Sequence, residues 1–294
     1  MRQFFPILVL VCSAAVLGGQ EALFAQTPQV ASPPSSSPSS PAPGIKTDKA
    51  ANKARVLLDQ GIAALGGQAY LTIRDREQQG RVWSFHLGRP SGGGAVFYSF
   101  SEFPDKERIE LTKERDIAEL FVGDKGYEIT YKGVHAQEKK DVDDYMRRRH
   151  YSLDTVLRTW INEPGVILLF DGSAIAAQRP ALQVTVINSH NESVTLYFDM
   201  DSHLPLKKSF EWRDPVDKQK NLEEEVYDNY RPVDGIMAPF NITRFFNGDM
   251  SNQRFLNNVT INQGLDPTMF DPNSSYKPDL EEKGRKEDKG KNKR

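Results

Sequence analysis

The stretch LYFDMDSHLPLKKSFEW, from Leu196 to Trp212, contains two segments in which apolar and polar residues alternate, joined by a polar turn. Alternation with a period of two residues is typical of a strand that buries one face. Asp199 and Ser202 favour a turn because their side chains can bond to the nearby backbone, and Leu204-Pro205 begins the second segment. The stretch therefore predicts an antiparallel strand–turn–strand.

The same alternation recurs over most of residues 82–261, with turn-forming sequences such as Gly123-Asp124-Lys125-Gly126 between the segments. We expect about eleven strands of roughly 6–10 residues each. Consecutive antiparallel strands joined by short turns either close into a barrel or wrap as one strongly curved sheet. The fold is therefore predicted to be mainly β.

Two segments have apolar residues at helical spacing instead. The first covers residues 50–65 and ends at Gly66-Gly67. The second covers residues 142–161 and is followed by Pro164, which cannot continue a helix, and Ser152-Leu153-Asp154 can divide it into two. An amphipathic helix must bury its apolar side, so we expect these helices to cover the concave face or the mouth of the sheet. That arrangement leaves either a cavity lined by aromatic side chains or a filled core.

The two ends of the chain differ in composition from the part between them. Residues 1–25 carry Arg2 and an apolar run from Phe4 to Leu17, which is short for a bilayer of about 30 Å. This pattern predicts a cleaved secretory signal peptide, with an uncleaved anchor as the alternative. Residues 26–46 are rich in Pro and Ser and predict a disordered linker. Residues 276–294 are highly charged and predict a disordered tail, so the folded domain is expected over residues 47–275.

Composition excludes several classes of function. The chain has 38 Lys and Arg against 40 Asp and Glu, whereas a nucleic-acid binder would show a basic excess. Its one cysteine, Cys12, lies in the predicted signal peptide, so disulfides, thiol catalysis and cysteine-based zinc sites are not expected in the domain. The histidines lack metal-ligand spacing, and no Gly-x-Ser-x-Gly sequence occurs. We therefore predict no catalytic residues, no metal and no cofactor.

Two polar groups of residues have alternative interpretations. Asp199, Asp201 and His203 could hold a divalent metal, but the same residues are typical of a turn, which we favour. Glu223-Glu224-Glu225 alternates across one predicted strand, and we interpret it as protecting a sheet edge or facing solvent.

The C-terminal third of the domain resembles the LolA-like superfamily. Leu196–Trp212 resembles its strand–turn–strand with an aspartate-bearing turn, a Leu-Pro and a basic strand. Residues 230–239, YRPVDGIMAP, resemble its Asp-Gly-hydrophobic-x-Pro element. Val259–Asn262 followed by Leu265–Phe270 resembles its closing signature, and the early helix that ends in Leu65-Gly66-Gly67 also fits.

The resemblance implies an incomplete antiparallel β-barrel of about eleven strands, with helices covering its concave face. In that superfamily an apolar cavity receives lipoprotein acyl chains and carries them across the periplasm. It therefore implies an exported periplasmic binding protein, not an enzyme, whose partners are a lipid or a lipidated polypeptide and the export partners of the inner and outer membranes. We expect a monomer that does not bind nucleic acid. The alternatives are an envelope sensor or scaffold of the same fold that acts through its surface, and a secreted enzyme of unrecognised type.

The candidate lipid cavity is assembled from aromatic positions of the predicted strands. Trp83 and Phe85 share one face of their strand, as do Tyr98 and Phe100, because side chains two residues apart point the same way. A concave sheet facing the helices would direct both pairs inward. Each of these side chains taken alone is more often plain core, and only the implied cavity makes it a candidate. The full set of candidates is Trp83, Phe85, Tyr98, Phe100, Phe121, Leu157 and Trp160.

Overall fold

The computed structural model describes residues 44–274 and 276–278. The predicted signal peptide over residues 1–25, the linker as far as residue 43 and the tail from residue 279 lie outside the described residues. The helices are α1 (Gly44–Leu65), α2 (Gln68–Leu71), α3 (Lys139–His150) and α4 (Leu153–Arg158), with 3-10 turns at Trp160–Asn162 and Pro267–Phe270. The strands are β1 (Asp75–His86), β2 (Arg89–Pro90), β3 (Ala95–Glu102), β4 (Lys106–Leu111), β5 (Ile117–Val122), β6 (Lys125–Thr130), β7 (Gly133–Ala136), β8 (Ile167–Ala176), β9 (Arg179–Ile187), β10 (Ser193–Asp199), β11 (Pro205–Arg213), β12 (Lys220–Val233), β13 (Ile236–Phe246) and β14 (Asp249–Ile261).

The described strands form one antiparallel sheet of fourteen strands. Its order is β7-β6-β5-β4-β3-β1-β14-β13-β12-β11-β10-β9-β8, and the two-residue β2 pairs only with β1. The sheet is not closed, because β7 and β8 are its two edges. The prediction of an incomplete antiparallel barrel with a few helices is confirmed. The sheet exceeds the expected count of about eleven because β2, β7 and the edge strand β8 were not predicted.

The second predicted helical segment forms two helices, as the sequence allowed. The break falls at Ser152, whose hydroxyl oxygen accepts a hydrogen bond of 3.1 Å from the backbone N–H of Thr155. A serine at this position satisfies a donor that the first turn of a helix leaves free. Both helices lie between the edge strands β7 and β8 in the chain, so they connect the two ends of the open sheet.

The two halves of the sheet join where β1 pairs with β14. The side chain of Asn262, just after β14, accepts a hydrogen bond of 2.7 Å from the backbone N–H of Arg74, 188 residues earlier. The backbone N–H of Asn262 donates in turn to the carbonyl oxygen of Asp75 at 3.0 Å. The Asp75 carboxylate accepts a further bond of 2.9 Å from the backbone N–H of Gln263. The last strand is thereby locked to the first.

Gly66, just after α1, allows that helix to pack closely against the end of the sheet where β1 pairs with β14. Gly66 has φ +124°, and a Cβ there would lie 2.6 Å from the carbonyl oxygen of Gly235 in the β12–β13 turn. Only glycine allows this approach at this φ. The preceding turn residue, Asp234, accepts a hydrogen bond of 3.2 Å from the backbone N–H of Ile261. Three of the sequence elements that resemble the LolA-like superfamily therefore meet at one end of the sheet.

The main core lies between the helices and the concave face of β8–β14 with β1 and β3. Helices α1 and α4 bury their apolar sides there, which is the covering position expected from their spacing. The core side chains with little or no exposure include Leu57, Leu58, Val156, Leu157, Trp160, Val184, Leu196, Phe198 and Phe210.

Gly80 is the position of β1 at which added volume is most disruptive. A Cβ there would lie 2.1 Å from the backbone carbonyl oxygen of Phe255, beside the irregularity in the β1–β14 register. We expect Gly80→Ala to lower the free energy of unfolding by about 1–3 kcal/mol or more, because the clash is with backbone of the joining strand. Urea denaturation measures this change. Gly93→Ala is the control, since nothing lies within 4 Å of its Cβ position; equal stability of the two variants would contradict the prediction.

Candidate functional site

Three of the seven predicted cavity residues lie on the helix side of the sheet. Leu157 and Trp160 are buried in the main core, with 0% and 1% of their surface exposed. Phe121 on β5 stacks on Tyr145 of α3, with ring centroids 3.5 Å apart and planes within 4°. The main core and the Phe121 stack are separate contacts, so these three residues do not line one common cavity.

The expectation that Tyr98 and Phe100 face the helices is wrong. Their neighbour Phe97 joins the main core, so the alternating positions 98 and 100 project from the opposite, convex face. There Phe100 packs with Leu120 and with Met269 and Phe270 of the C-terminal 3-10 turn. The spacing argument placed the pair on one face correctly, but the C-terminal segment covers that face.

Trp83 and Phe85 also face away from the helices. In the β1–β3 register Gly80 pairs with Phe97 and Val82 with Ala95, so the odd positions of β1 lie on the convex face. The Trp83 ring meets Phe255 edge-on at 5.3 Å, and Phe255 is 39% exposed. Four of the seven candidates are therefore corrected to the outer face of the sheet.

Charged side chains occupy part of the concave face instead. Glu225 on β12 lies 3.2 Å from the ammonium of Lys208 on β11 and accepts a hydrogen bond from Arg244 on β13. The hydroxyl of Tyr227 donates to the same carboxylate at 2.8 Å. The interpretation of the Glu223–Glu225 run as an edge or solvent-facing feature is wrong for Glu225, whose side chain is only 14% exposed.

The charge of Glu225 is held by its neighbours. Burial acts to raise the pKa of Glu225, but Lys208 and Arg244 outweigh it, and the pKa lies well below its usual range. Burial lowers the pKa of Lys208, although Glu225 opposes that shift. The Lys208 ammonium also donates to the backbone carbonyl oxygen of Tyr151, between α3 and α4, at 2.8 Å. The network therefore ties the sheet to the helical connection.

Helix α3 covers this charged face with a mixed set of contacts. Arg147 donates to Glu223 at 3.0 Å, and its guanidinium lies 3.5 Å from the centroid of the Trp212 ring. The Tyr145 hydroxyl donates at 2.7 Å to Glu107 on β4. These contacts join α3 to both halves of the sheet.

An open cleft of about 530 Å³ lies beside α4. The buried Ile73 lies among the residues that line it. The guanidinium carbon of Arg158 lies 4.7 Å from the centroid of the Phe103 ring. Arg158 is fixed by a hydrogen bond of 2.5 Å to the carbonyl oxygen of Ile73. Residues of the α2–β1 turn, the β3–β4 turn and α4 line the cleft: Leu71, Thr72, Ile73, Arg74, Phe103, Pro104, Asp154, Thr155, Arg158 and Thr159.

The one carboxylate that lines this cleft is paired. Asp154 lies 2.6 Å from the guanidinium of Arg76 on β1. Burial acts to raise the pKa of Asp154, but Arg76 outweighs it and the pKa is lowered. A carboxylate held ionised by an arginine is a poor general acid at neutral pH. The cleft is thus a recess of mixed apolar and polar lining with fixed charges, and sequence reasoning missed it because its residues come from three segments that are distant in the chain.

The Asp199–His203 segment forms the turn that the sequence favoured. The Asp199 carboxylate accepts hydrogen bonds from the backbone N–H groups of Asp201 and Ser202, at 3.2 and 2.8 Å. Arg179 lies 2.7 Å from the other oxygen of that carboxylate. Within residues 44–274 and 276–278, no group of three side chains is arranged to hold a metal ion. Over the same residues, no helix has both the length and the apolar character needed to cross a membrane.

Comparison with solved structures identifies the fold. A protein of the DUF1329 family from Desulfovibrio piger is 12% identical with a TM-score of 0.53, over 74% of this chain and 96% of that chain. A domain described as an outer membrane lipoprotein-sorting protein, from Vibrio parahaemolyticus, is 10% identical with a TM-score of 0.50, over 77% and 98%. A LolA superfamily protein from Nitrosomonas europaea is 12% identical with a TM-score of 0.45, over 74% and 96%.

The fold is LolA-like. No family model and no curated protein matches the sequence. Likeness at this level of identity shows the fold alone, and one fold supports several activities. What the protein binds must therefore be argued from its own side chains.

The Glu225 network predicts an acid-sensitive contribution to stability. Folding lowers the pKa of Glu225. The contribution of Glu225 to stability is therefore complete above pH 4.5, the ordinary pKa of glutamate, and is lost as the pH falls further. We expect Glu225→Gln to lower the free energy of unfolding at pH 7 by about 3–5 kcal/mol, because Lys208 and Arg244 lose their counter-charge. The difference from the unmodified protein should shrink in acid, as measured by urea denaturation at pH 7 and pH 3.

Glu224→Gln is the matched control for this measurement. Glu224 neighbours Glu225 on β12, but its carboxylate pairs with Lys207 at 2.8 Å on the other face of the strand. A partly exposed pair of this kind contributes at most about 1 kcal/mol. Equal losses in the two variants would show that burial does not distinguish the two carboxylates.

Proposed function

We propose that the protein is an exported periplasmic binding protein, not an enzyme, that shelters an acyl chain of a lipid or lipoprotein. The observation that carries this proposal is the open cleft beside α4, whose lining includes the apolar side chains of Leu71, Ile73 and Phe103 among polar ones. Its volume of about 530 Å³ falls in the range of small-molecule sites, which spans about 300–1,000 Å³.

The walls of the cleft suit a flexible apolar chain. Leu71, Ile73 and Phe103 present side-chain carbon, and each methylene buried against such a surface contributes about 0.8 kcal/mol. Arg76 and Arg158 both lie against the Phe103 ring, with their guanidinium carbons 5.0 and 4.7 Å from its centroid. These contacts keep the ring in place as a wall, so the cleft does not depend on a ligand for its shape.

The sequence and the fold both support a periplasmic setting. The signal-like segment at residues 1–25 supports export, and the LolA-like fold supports the periplasm as the place of action. Partners in the inner and outer membranes would deliver and receive the lipidated cargo. We propose that the protein does this as a monomer.

A second function, a sensor or scaffold that acts through its surface, is favoured by one observation. Leu157 of α4 and Trp160 of the following 3-10 turn are buried in the core, so this segment cannot open as a lid without exposing its own apolar side chains. A protein of this kind would bind no lipid in the cleft. The two functions therefore differ in one measurable property.

Binding of a fluorescent fatty-acyl probe to the full chain tests the proposed function. We expect Leu71→Glu to weaken probe binding at neutral pH at least tenfold, because a carboxylate replaces one of the few apolar side chains against which an acyl chain could pack. The control is Leu87→Glu, since Leu87 is 68% exposed and is not among the residues that line the cleft. Circular dichroism checks that both variants fold. Absence of probe binding by the unmodified protein would favour the scaffold, and equal binding by a folded Leu71→Glu variant would remove the cleft as the site.

A further inference from the structure

Three guanidinium groups share the concave face of the sheet under α3. Arg244 on β13 and Arg254 on β14 lie on one face, because Arg244 pairs with Asn252 and Arg254 is two residues further along the same strand. Arg148 lies three residues after Tyr145 on α3, on the side of the helix from which Tyr145 bonds to Glu107 of this face, and the charge of Arg244 acts on it. Like charges that share one face repel, so the arrangement requires an explanation beyond packing.

Most of the acids near these arginines are already hydrogen-bonded. Glu225 is bonded to Arg244 and Tyr227, and Glu223 to Arg147. The two carboxylate oxygens of Glu107 accept hydrogen bonds from Ser99 and from Tyr145, both at 2.7 Å. These carboxylates therefore already accept bonds from other donors.

Two of the arginines, by contrast, keep donors unused. The side chain of Arg148, which is partly exposed, forms no hydrogen bond and no ion pair within 4.0 Å with any residue that the structure describes. Arg254 reaches Glu225 only at 4.0 Å, and its Nε is buried without a partner. The side-chain oxygen of Asn252, on the same face, is also buried and unbonded. Buried groups of this kind are costly unless something else satisfies them.

The pKa shifts agree with a crowding of positive charge on this face, which the nearby acids offset only in part. Burial and the charge of Arg244 lower the pKa of Arg148, and the same two causes lower the pKa of Arg254 to about 10. Both guanidinium groups remain protonated at neutral pH, so folding brings cations together at a cost in stability. Costs of this kind in a protein are expected at functional sites.

We propose that this face is an oxyanion-binding site in which Arg148 and Arg254 donate to a phosphate or carboxylate group. Guanidinium groups bind such groups through paired hydrogen bonds, which neutral side chains do not match. A hydrogen phosphate also carries an O–H that can donate to the free oxygen of Asn252. The group is either a free anion or the headgroup of an anionic amphiphile. The inference goes beyond the proposed function and stands without it, because none of these residues lines the cleft beside α4.

One acid on this face provides the competing explanation. Glu119 on β5 is attracted to Arg148 without reaching it within 4.0 Å, and burial raises the pKa of Glu119. If these two side chains paired in solution, Arg148 would have a partner inside the protein. The experiment must therefore separate a ligand site from an internal ion pair.

Calorimetric titration of the full chain with two anions and one cation provides the first measurement. The probes are inorganic phosphate, dodecyl phosphate below its micellar concentration, and dodecyltrimethylammonium. We expect Arg148→Gln and Arg254→Gln each to weaken phosphate or dodecyl phosphate binding at least tenfold, because each removes a charge-assisted donor. Lys140→Gln is the matched control, since it removes an exposed cation from the same helix. It should leave binding unchanged.

Thermal unfolding provides the second measurement and keeps the inference testable if a variant is less soluble. Without anion, we expect Arg148→Gln to raise the midpoint, because it removes an unbonded cation beside Arg244. The rise in midpoint that phosphate gives the unmodified protein should be lost in this variant. Glu119→Gln should leave phosphate binding unchanged or strengthen it, because it removes a competing acceptor.

The outcomes separate the alternatives. Binding of both anions identifies a free oxyanion site, and binding of dodecyl phosphate alone identifies an amphiphile headgroup; both support the inference. It is overturned if the cationic amphiphile binds as tightly as dodecyl phosphate, if neither anion binds, or if Arg148→Gln leaves binding intact. It is also overturned if Arg148→Gln and Glu119→Gln destabilise the protein equally and non-additively, since that is the behaviour of an internal ion pair.

Discussion

The pairing of β1 with β14 is the interaction on which the rest of the structure depends. It joins the half-sheet β3–β7 to the half-sheet β8–β13, and the side chain of Asn262 locks it by accepting from the backbone of Arg74. Because the two edges of the open sheet are consecutive in the chain, the helices α3 and α4 have to cross from one edge to the other. The covered concave face, the charged network and the cleft all follow from that one junction.

The parts of the fold that could be predicted from the sequence are those fixed by backbone geometry. Gly66, Gly235 and Asn262 stand at the meeting point of α1, the β12–β13 turn and the β1–β14 junction, where few other residues would fit. Motifs of this kind are recognisable without knowing what the protein binds. The edge strand β8 was missed, in part because Gly172, with φ +95°, interrupts its alternation at an irregularity in the register.

The candidate site was harder to predict. Alternation shows which side chains of a strand share a face, but it does not show which of the two faces is buried. Tyr98 and Phe100 do share a face, but the C-terminal turn with Met269 and Phe270 covers that face, far along the chain. Glu225 alternates as a residue of a solvent-facing strand would, yet its side chain is only 14% exposed and pairs with Lys208 on β11 and Arg244 on β13. Which face is inside depends on contacts between distant segments, and those contacts are not visible in a local pattern.

The β1–β14 pairing also sets the order in which the sheet can be completed. One side of β1 has no partner until the chain beyond β13 is present, because β14 is the last strand of the sheet. Contacts between segments so far apart in sequence form slowly, and an unpaired strand edge is prone to associate with other chains during that interval. A chain that ends before Asp249, where β14 begins, would keep this edge open permanently. How readily β14 pairs with β1 therefore governs the yield of folded protein, independently of anything that the protein binds.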